Sequence, residues 1–124
     1  MVWAVEFTDQ FEEWWATLTP DQQEAITAAI SLLEEIGPAL RRPLVDTIKP
    51  SQHSNMKELR ASQDGALRVL FAFDPTRAAI LLIGGDKTGQ WDDWYRAAVP
   101  VADDLYDQHL RLLEQERSDD SGKG

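Results

Sequence analysis

The spacing of apolar positions changes period several times along the chain, and each change predicts an element. Val2 to Phe7 alternates, with Val5 and Phe7 on one side, as a short opening strand does. From there Phe7, Phe11, Trp14, Trp15 and Leu18 recur at helical spacing, and Asp9 with Glu12 has the form of a capping pair. Residues 9–18 are therefore expected to form a short amphipathic helix capped by Asp9. Thr19-Pro20-Asp21-Gln22 opens a second helix: a threonine cap, proline at the first helical position, an acid in the first turn, and glutamine three after the cap. Its apolar stripe is Ile26, Ala29, Ile30, Leu33 and Ile36, and Gly37-Pro38 ends it. The two helices form an α-hairpin.

Residues 38–54 contain Pro38, Pro43 and Pro50 and keep no period, so they are expected to be a long connecting loop. A meander follows: Met56 to Ala61, a turn at 62–65, Leu67 to Asp74, a turn at 75–77, and Ala78 to Gly84. Leu67, Val69, Phe71 and Phe73 share one face of the middle strand, which the α-hairpin should cover. Arg68, Leu70 and Ala72 point to the other face, expected to be open. On the neighbouring strand Met56, Glu58 and Arg60 share a face, and Lys57 takes the opposite one. Gly84 to Gly89 reads as a flexible loop, 91–98 as a short helix, and Pro100 as the first turn of another lined by Ala102, Leu105, His109 and Leu112. Residues 118–124 carry no apolar side chain and are expected to be a disordered tail after a single domain spanning 1–117. The order of elements predicts an α+β domain, an N-terminal strand and α-hairpin packed on a small, mainly antiparallel sheet, with a C-terminal helix.

Charge adds a second pattern. The 124 residues carry a net charge of -10, but residues 41–87 hold eight of the twelve bases against five carboxylates. Non-specific attraction to nucleic acid is thus disfavoured for the whole, while positive charge gathers on the meander. There is no cysteine, which excludes disulfides and thiolate chemistry. Neither a signal peptide nor a membrane span is read, so a cytoplasmic protein is expected.

Several bases converging on one face would make a phosphate site, with Lys87 closing it from the end of the third strand. His53, in the loop before the basic strand, could serve as a general base. His109 lies in an apolar stripe and reads as a packed histidine. Neither histidine has a second ligand at metal spacing, so no metal or cofactor is expected. Asp92-Asp93 and Asp103-Asp104 are adjacent rather than facing pairs, better explained as helix-start charge. The glycines of 84–89 fit neither a Walker loop nor a dinucleotide fingerprint.

Taken together, "VEFTDQFEEWW", "LLEEIGPAL", "NMKELRAS", "LRVLFAFDP", "AILLIGGDKTG" and "WYRAAVPVADDLYDQHL" resemble the RelE/ParE superfamily of toxins from type II toxin-antitoxin modules, within it the HigB-like branch. The resemblance implies a RelE-like fold and a ribosome-dependent endoribonuclease that inhibits translation, cleaving mRNA through the 2'-hydroxyl beside the scissile phosphate. By position it implies Arg68 and Lys87 as catalytic candidates, and Arg60 and Tyr95 as RNA-binding ones; in such a reaction Lys57 or His53 is the candidate for assisting proton transfer. The implied partners are a helix-turn-helix antitoxin, mRNA and the ribosome. One departure is that the family's paired strand lysines align with Met56 and Glu58. Two other readings are a ParE-like inhibitor of DNA gyrase that cleaves nothing, and an inert relative that only binds an antitoxin.

Overall fold

The computed structural model describes residues 2–89 and 91–122. Its sheet has five strands: β1 (Ala4–Phe7), β2 (Val45–Thr47), β3 (Lys57–Ser62), β4 (Ala66–Phe73) and β5 (Ala78–Asp86). They lie in the order β1-β5-β4-β3-β2, with β1 parallel to β5 and the other neighbours antiparallel. Helices α1 (Asp9–Trp15) and α2 (Pro20–Ile36) follow β1, a 3-10 turn spans Gly37–Ala39, and α3 (Trp91–Gly122) follows β5.

The helix ends follow from local chemistry. At α2, Thr19 Oγ1 accepts from the Gln22 amide at 3.2 Å while Gln22 Oε1 accepts from the Thr19 amide at 3.0 Å, the reciprocal box expected from the sequence. Gly37, at φ +70°, ends the helix with Trp3 packed where a Cβ would sit, so only glycine fits. The cap of α1 differs from expectation. It is Thr8, not Asp9: Thr8 Oγ1 accepts from the Phe11 amide and donates to the Leu82 carbonyl at 2.6 Å, tying the helix start to β5.

The α-hairpin covers the expected face, where Ile26, Ala29 and Leu33 pack with Leu59, Leu67, Val69, Phe71 and Leu81. Ile30 is only partly buried and Ile36 is exposed. The opposite face is not open. Met56, Leu70, Ala72, Ile80 and Leu82 form a second core beneath Ala98, Val99, Ala102, Leu105 and Tyr106 of α3. Each side chain buried fully in either core contributes about 1.5–3 kcal/mol, so α3 is as much a covering layer as the hairpin. A register shift between Leu70 and Phe71 lets Leu82 and Ile83 both join the α3 side.

Three further expectations change. The stretch 38–54 is not all loop, because β2 pairs with β3, Val45 opposite Leu59 and Asp46 opposite Glu58. The flexible loop at Gly84 is instead the end of β5, which runs to Asp86. The two C-terminal helices are one: Pro100 lies within α3 on its exposed side, and the packing of Val99, Ala102 and Leu105 outweighs the roughly 3 kcal/mol that an interior proline costs. The backbone of 118–122 continues this helix, while 123–124 lie outside the described residues. Among the described residues no helix is long and apolar enough to cross a membrane.

Candidate functional site

Strand pairing sets Arg60 directly opposite Arg68 and Glu58 opposite Leu70, so these side chains project from the face that α3 covers. The first turns of α3 bring Tyr95 over them, and the end of β5 brings Lys87. Four of the sequence candidates, Arg60, Arg68, Lys87 and Tyr95, thus meet in one place.

At their centre is a residue that was not among the candidates. Glu58 is 2 % exposed, and its carboxylate accepts from Arg60 Nε at 2.8 Å and from the Tyr95 hydroxyl at 2.5 Å, with Arg68 Nε 3.8 Å away. The missed signal was strand alternation, which already placed Glu58 on the face of Arg60. Arg68 Nη1 donates to the Leu67 carbonyl at 2.8 Å, and its Nε is buried without a hydrogen-bond partner among the described residues. Lys87 is buried, with Nζ 5.3 Å from the centre of the Tyr95 ring.

The electrostatics follow from burial among like and unlike charges. Burial and the charge of Arg68 lower the Lys87 pKa from its ordinary value, against the pull of Glu58. Burial and the bond to Glu58 push the Tyr95 hydroxyl up to about 12, so at neutral pH it is a donor and not a base. For Arg60 burial acts against the charge, but the Glu58 bond and the attraction of Glu58 and Asp46 leave it more firmly protonated than usual. Arg42 and Arg60 both bind Asp46 Oδ2, and the Arg42 bond, above all, holds that carboxyl below its usual range.

A cavity of about 830 Å³ lies between α3 and the segment from β2 to Gln52. Glu58, Arg60 and Tyr95 line it, and in the rest of its wall the acids Asp46, Asp92, Asp103 and Asp104 outnumber the bases Lys49 and Arg96. Asp103 is not helix-start charge. It is buried in mid-helix, accepting from Ser51 Oγ at 2.5 Å and the Gln52 amide at 3.0 Å, and so fastens that segment to α3.

Two catalytic candidates fall elsewhere. Lys57 pairs opposite Phe71 and points to the α-hairpin side, as alternation requires. His53 Nε2 lies 2.7 Å from Asp107 Oδ1, with its ring edge-on to Tyr106, and does not line the cavity. His109 is packed as expected, bonded to buried Asp74 at 2.7 Å and stacked on Tyr106. Among the described residues no group of three or more His, Asp or Glu side chains is placed to hold a metal ion.

Comparison with known proteins identifies the family and the fold. Residues 13–107 match the model of the family described as phage-derived protein Gp49-like (DUF891). A Mycobacterium tuberculosis protein named "Putative toxin HigB3" is 50 % identical over 81 % of this chain and 87 % of its own length. Another, "Putative toxin HigB2", is 45 % identical over 86 % of this chain, a match that spans only 54 % of the relative. In fold, Escherichia coli toxin RelE, solved as a mutant in the free state, superposes with a TM-score of 0.60 at 10 % identity over 87 % of this chain and 98 % of RelE. The M. tuberculosis RelBE2 toxin-antitoxin complex contributes a chain with a TM-score of 0.54 at 15 % identity, covering 69 % of this chain and 99 % of its own.

Proposed function

The chain belongs to the Gp49-like family, in the HigB-like branch of RelE-fold toxins, and we propose that it is a toxin that stops translation by cutting mRNA at the Arg60–Arg68–Lys87 site. The observation that carries the reading is the buried cluster itself, in which three bases surround one carboxylate and Arg68 Nε has no hydrogen-bond partner among the described residues. A phosphate oxygen supplies the acceptor that such a donor lacks.

In the proposed reaction the 2'-hydroxyl of the RNA attacks the adjacent phosphorus. The P–O bond to the following nucleotide breaks, leaving a 2',3'-cyclic phosphate and a 5'-hydroxyl. Glu58 takes the proton of the attacking hydroxyl, and Lys87, its pKa lowered, gives one to the departing oxygen. Protonation of Glu58 also removes the charge that holds Arg60 and Arg68. Both guanidinium groups then act on the phosphorane as its negative charge develops. Tyr95, held neutral, aims the Glu58 carboxylate and supplies a ring at the cavity wall. Neither Arg68 nor Lys87 lines the cavity, so an entering phosphate meets Arg60 first and reaches Arg68 as the Glu58–Tyr95 pair parts. The partners proposed with this reading are mRNA on the ribosome and an antitoxin that keeps the chain inactive.

Induced expression tests the reading. Arrested protein synthesis with cleaved mRNA is expected, and Arg68→Ala, compared at equal amounts of folded chain because it empties a buried position beside Glu58, should lower cleavage at least a hundredfold. Intact mRNA with a DNA-damage response would point to gyrase instead, and an absence of growth effect to an inert binder. Full toxicity in the Arg68→Ala variant would remove the site from this face.

A further inference from the structure

On the other side of the molecule, at the far edge of the sheet, lies a second groove of about 370 Å³. Its floor is apolar, formed by Val5 and Phe7 of β1, Phe11 and Trp15 of α1, and Ile30 and Leu81. Glu12 and Glu34 are the charged groups of its lining. The groove borders β1, the terminal strand of the sheet, whose outer edge has no strand beside it among the described residues, though just before it the Trp3 amide donates to the Glu34 carbonyl at 2.7 Å. Edge strands are ordinarily protected by shortness, charge, proline or a covering loop, and β1, four residues with Glu6 among them, has the first two. Here Phe7 is 57 % exposed and Val2 75 % exposed, so the edge keeps apolar surface in water. An open strand edge beside an apolar trough is the arrangement that accepts an added strand, whose alternate side chains enter the trough.

Charge decides between occupants. Residues 1–40 contain eight carboxylates and no lysine or arginine. A second copy of this chain laid edge to edge would set Glu6, Glu12 and Glu34 against the same acids of its neighbour, and like charges facing each other across an interface oppose pairing. The acidic polar end of the chain, Ser118-Asp119-Asp120, is disfavoured for the same reason. We infer that this groove is a protein-docking site, separate from the anion site, for an extended partner segment alternating apolar residues with lysine or arginine. Main-chain bonds to β1 hold the segment, its apolar residues fill the trough over Phe11 and Trp15, and its bases meet Glu12 and Glu34.

The full chain, titrated with an acetylated eight-residue peptide alternating leucine and lysine, tests this by amide chemical shifts and by affinity. Shifts are expected at Val5, Phe7, Phe11 and Trp15, with no binding of the leucine–glutamate counterpart. The double reversal Glu12→Lys/Glu34→Lys should weaken binding at least tenfold. Glu114→Lys/Glu116→Lys, the same charge change made at exposed positions of α3, should change it less than twofold. Equal weakening in both doubles, shifts confined to other surfaces, or no binding at all would overturn the inference. So would a dimer of the chain that Phe7→Asp dissolves, since the occupant would then be a second copy.

Discussion

In the proposed reaction Glu58 carries two duties whose charge requirements conflict, and that conflict makes the site testable. Ionised, it neutralises part of the charge of Arg60 and Arg68 and fixes the Tyr95 hydroxyl. Protonated, it releases both guanidinium groups to a phosphate. If Lys87 is the acid, cleavage rates should fall on the alkaline side as Lys87 loses its proton. Because burial and Arg68 lower the Lys87 pKa, the alkaline limb should fall below the ordinary 10.5. Glu58→Gln should cost about a hundred- to ten-thousandfold in rate. Lys87→Arg keeps the charge but cannot release its proton in this range, and should remove the alkaline limb along with most of the rate. Rates measured from pH 5 to 10 on a short RNA decide this; an undiminished rate in Glu58→Gln would assign the proton to another group.

The elements hold the site by accommodating aromatic side chains against glycine. A Cβ at Gly85 would lie 2.1 Å from Trp94 Nε1, and one at Gly84 would lie 2.1 Å from a Trp14 ring carbon, so successive glycines of β5 admit one tryptophan on each face. Gly85→Ala should therefore displace the start of α3, with Trp94 and the adjoining Tyr95, and cost about 1–3 kcal/mol. Gly89→Ala meets no atom within 4 Å and bears only its φ of +75°, so about 1 kcal/mol is expected. Urea denaturation of the two variants checks the order, and Gly85→Ala should also lose cleavage beyond its loss of stability. Features of this kind explain what was legible in the sequence. The capping box of α2, the meander, and the opposed faces of Lys57 and Arg68 depend on residues near in sequence, and each was readable. β2 has three residues and exists through its pairing with β3, while α3 survives Pro100 through packing on the sheet, so both depend on tertiary partners that local pattern does not report. Glu58 was hidden for the same reason: on paper it is one half of an ion pair, and only the arrival of Tyr95 from α3 makes it the centre of a site.

At the scale of the whole molecule, a chain of net charge -10 that binds RNA must do so against its own field. Of the cluster's bases only Arg60 lines the cavity, where Lys49 and Arg96 join it, while Asp46, Asp92, Asp103 and Asp104 stand in the same wall. With a Debye length of about 10 Å at 0.1 M salt, the rim acids act on a phosphate in the cavity but most of the remaining surface does not. If three bases neutralise about three phosphates of a single strand, raising salt from 50 to 200 mM should weaken binding by about twentyfold at most. Repulsion from the rim reduces that further. The Asp92→Asn/Asp104→Asn double variant removes two exposed rim charges without touching Glu58, so KM for RNA should fall several-fold at low salt with kcat unchanged, and the difference should fade at 200 mM. A salt response of a thousandfold would mean that the RNA path extends over bases outside this cluster. A double variant indistinguishable from the parent at 50 mM would mean that the rim does not face the RNA, and that the substrate approaches the arginines from another side of α3.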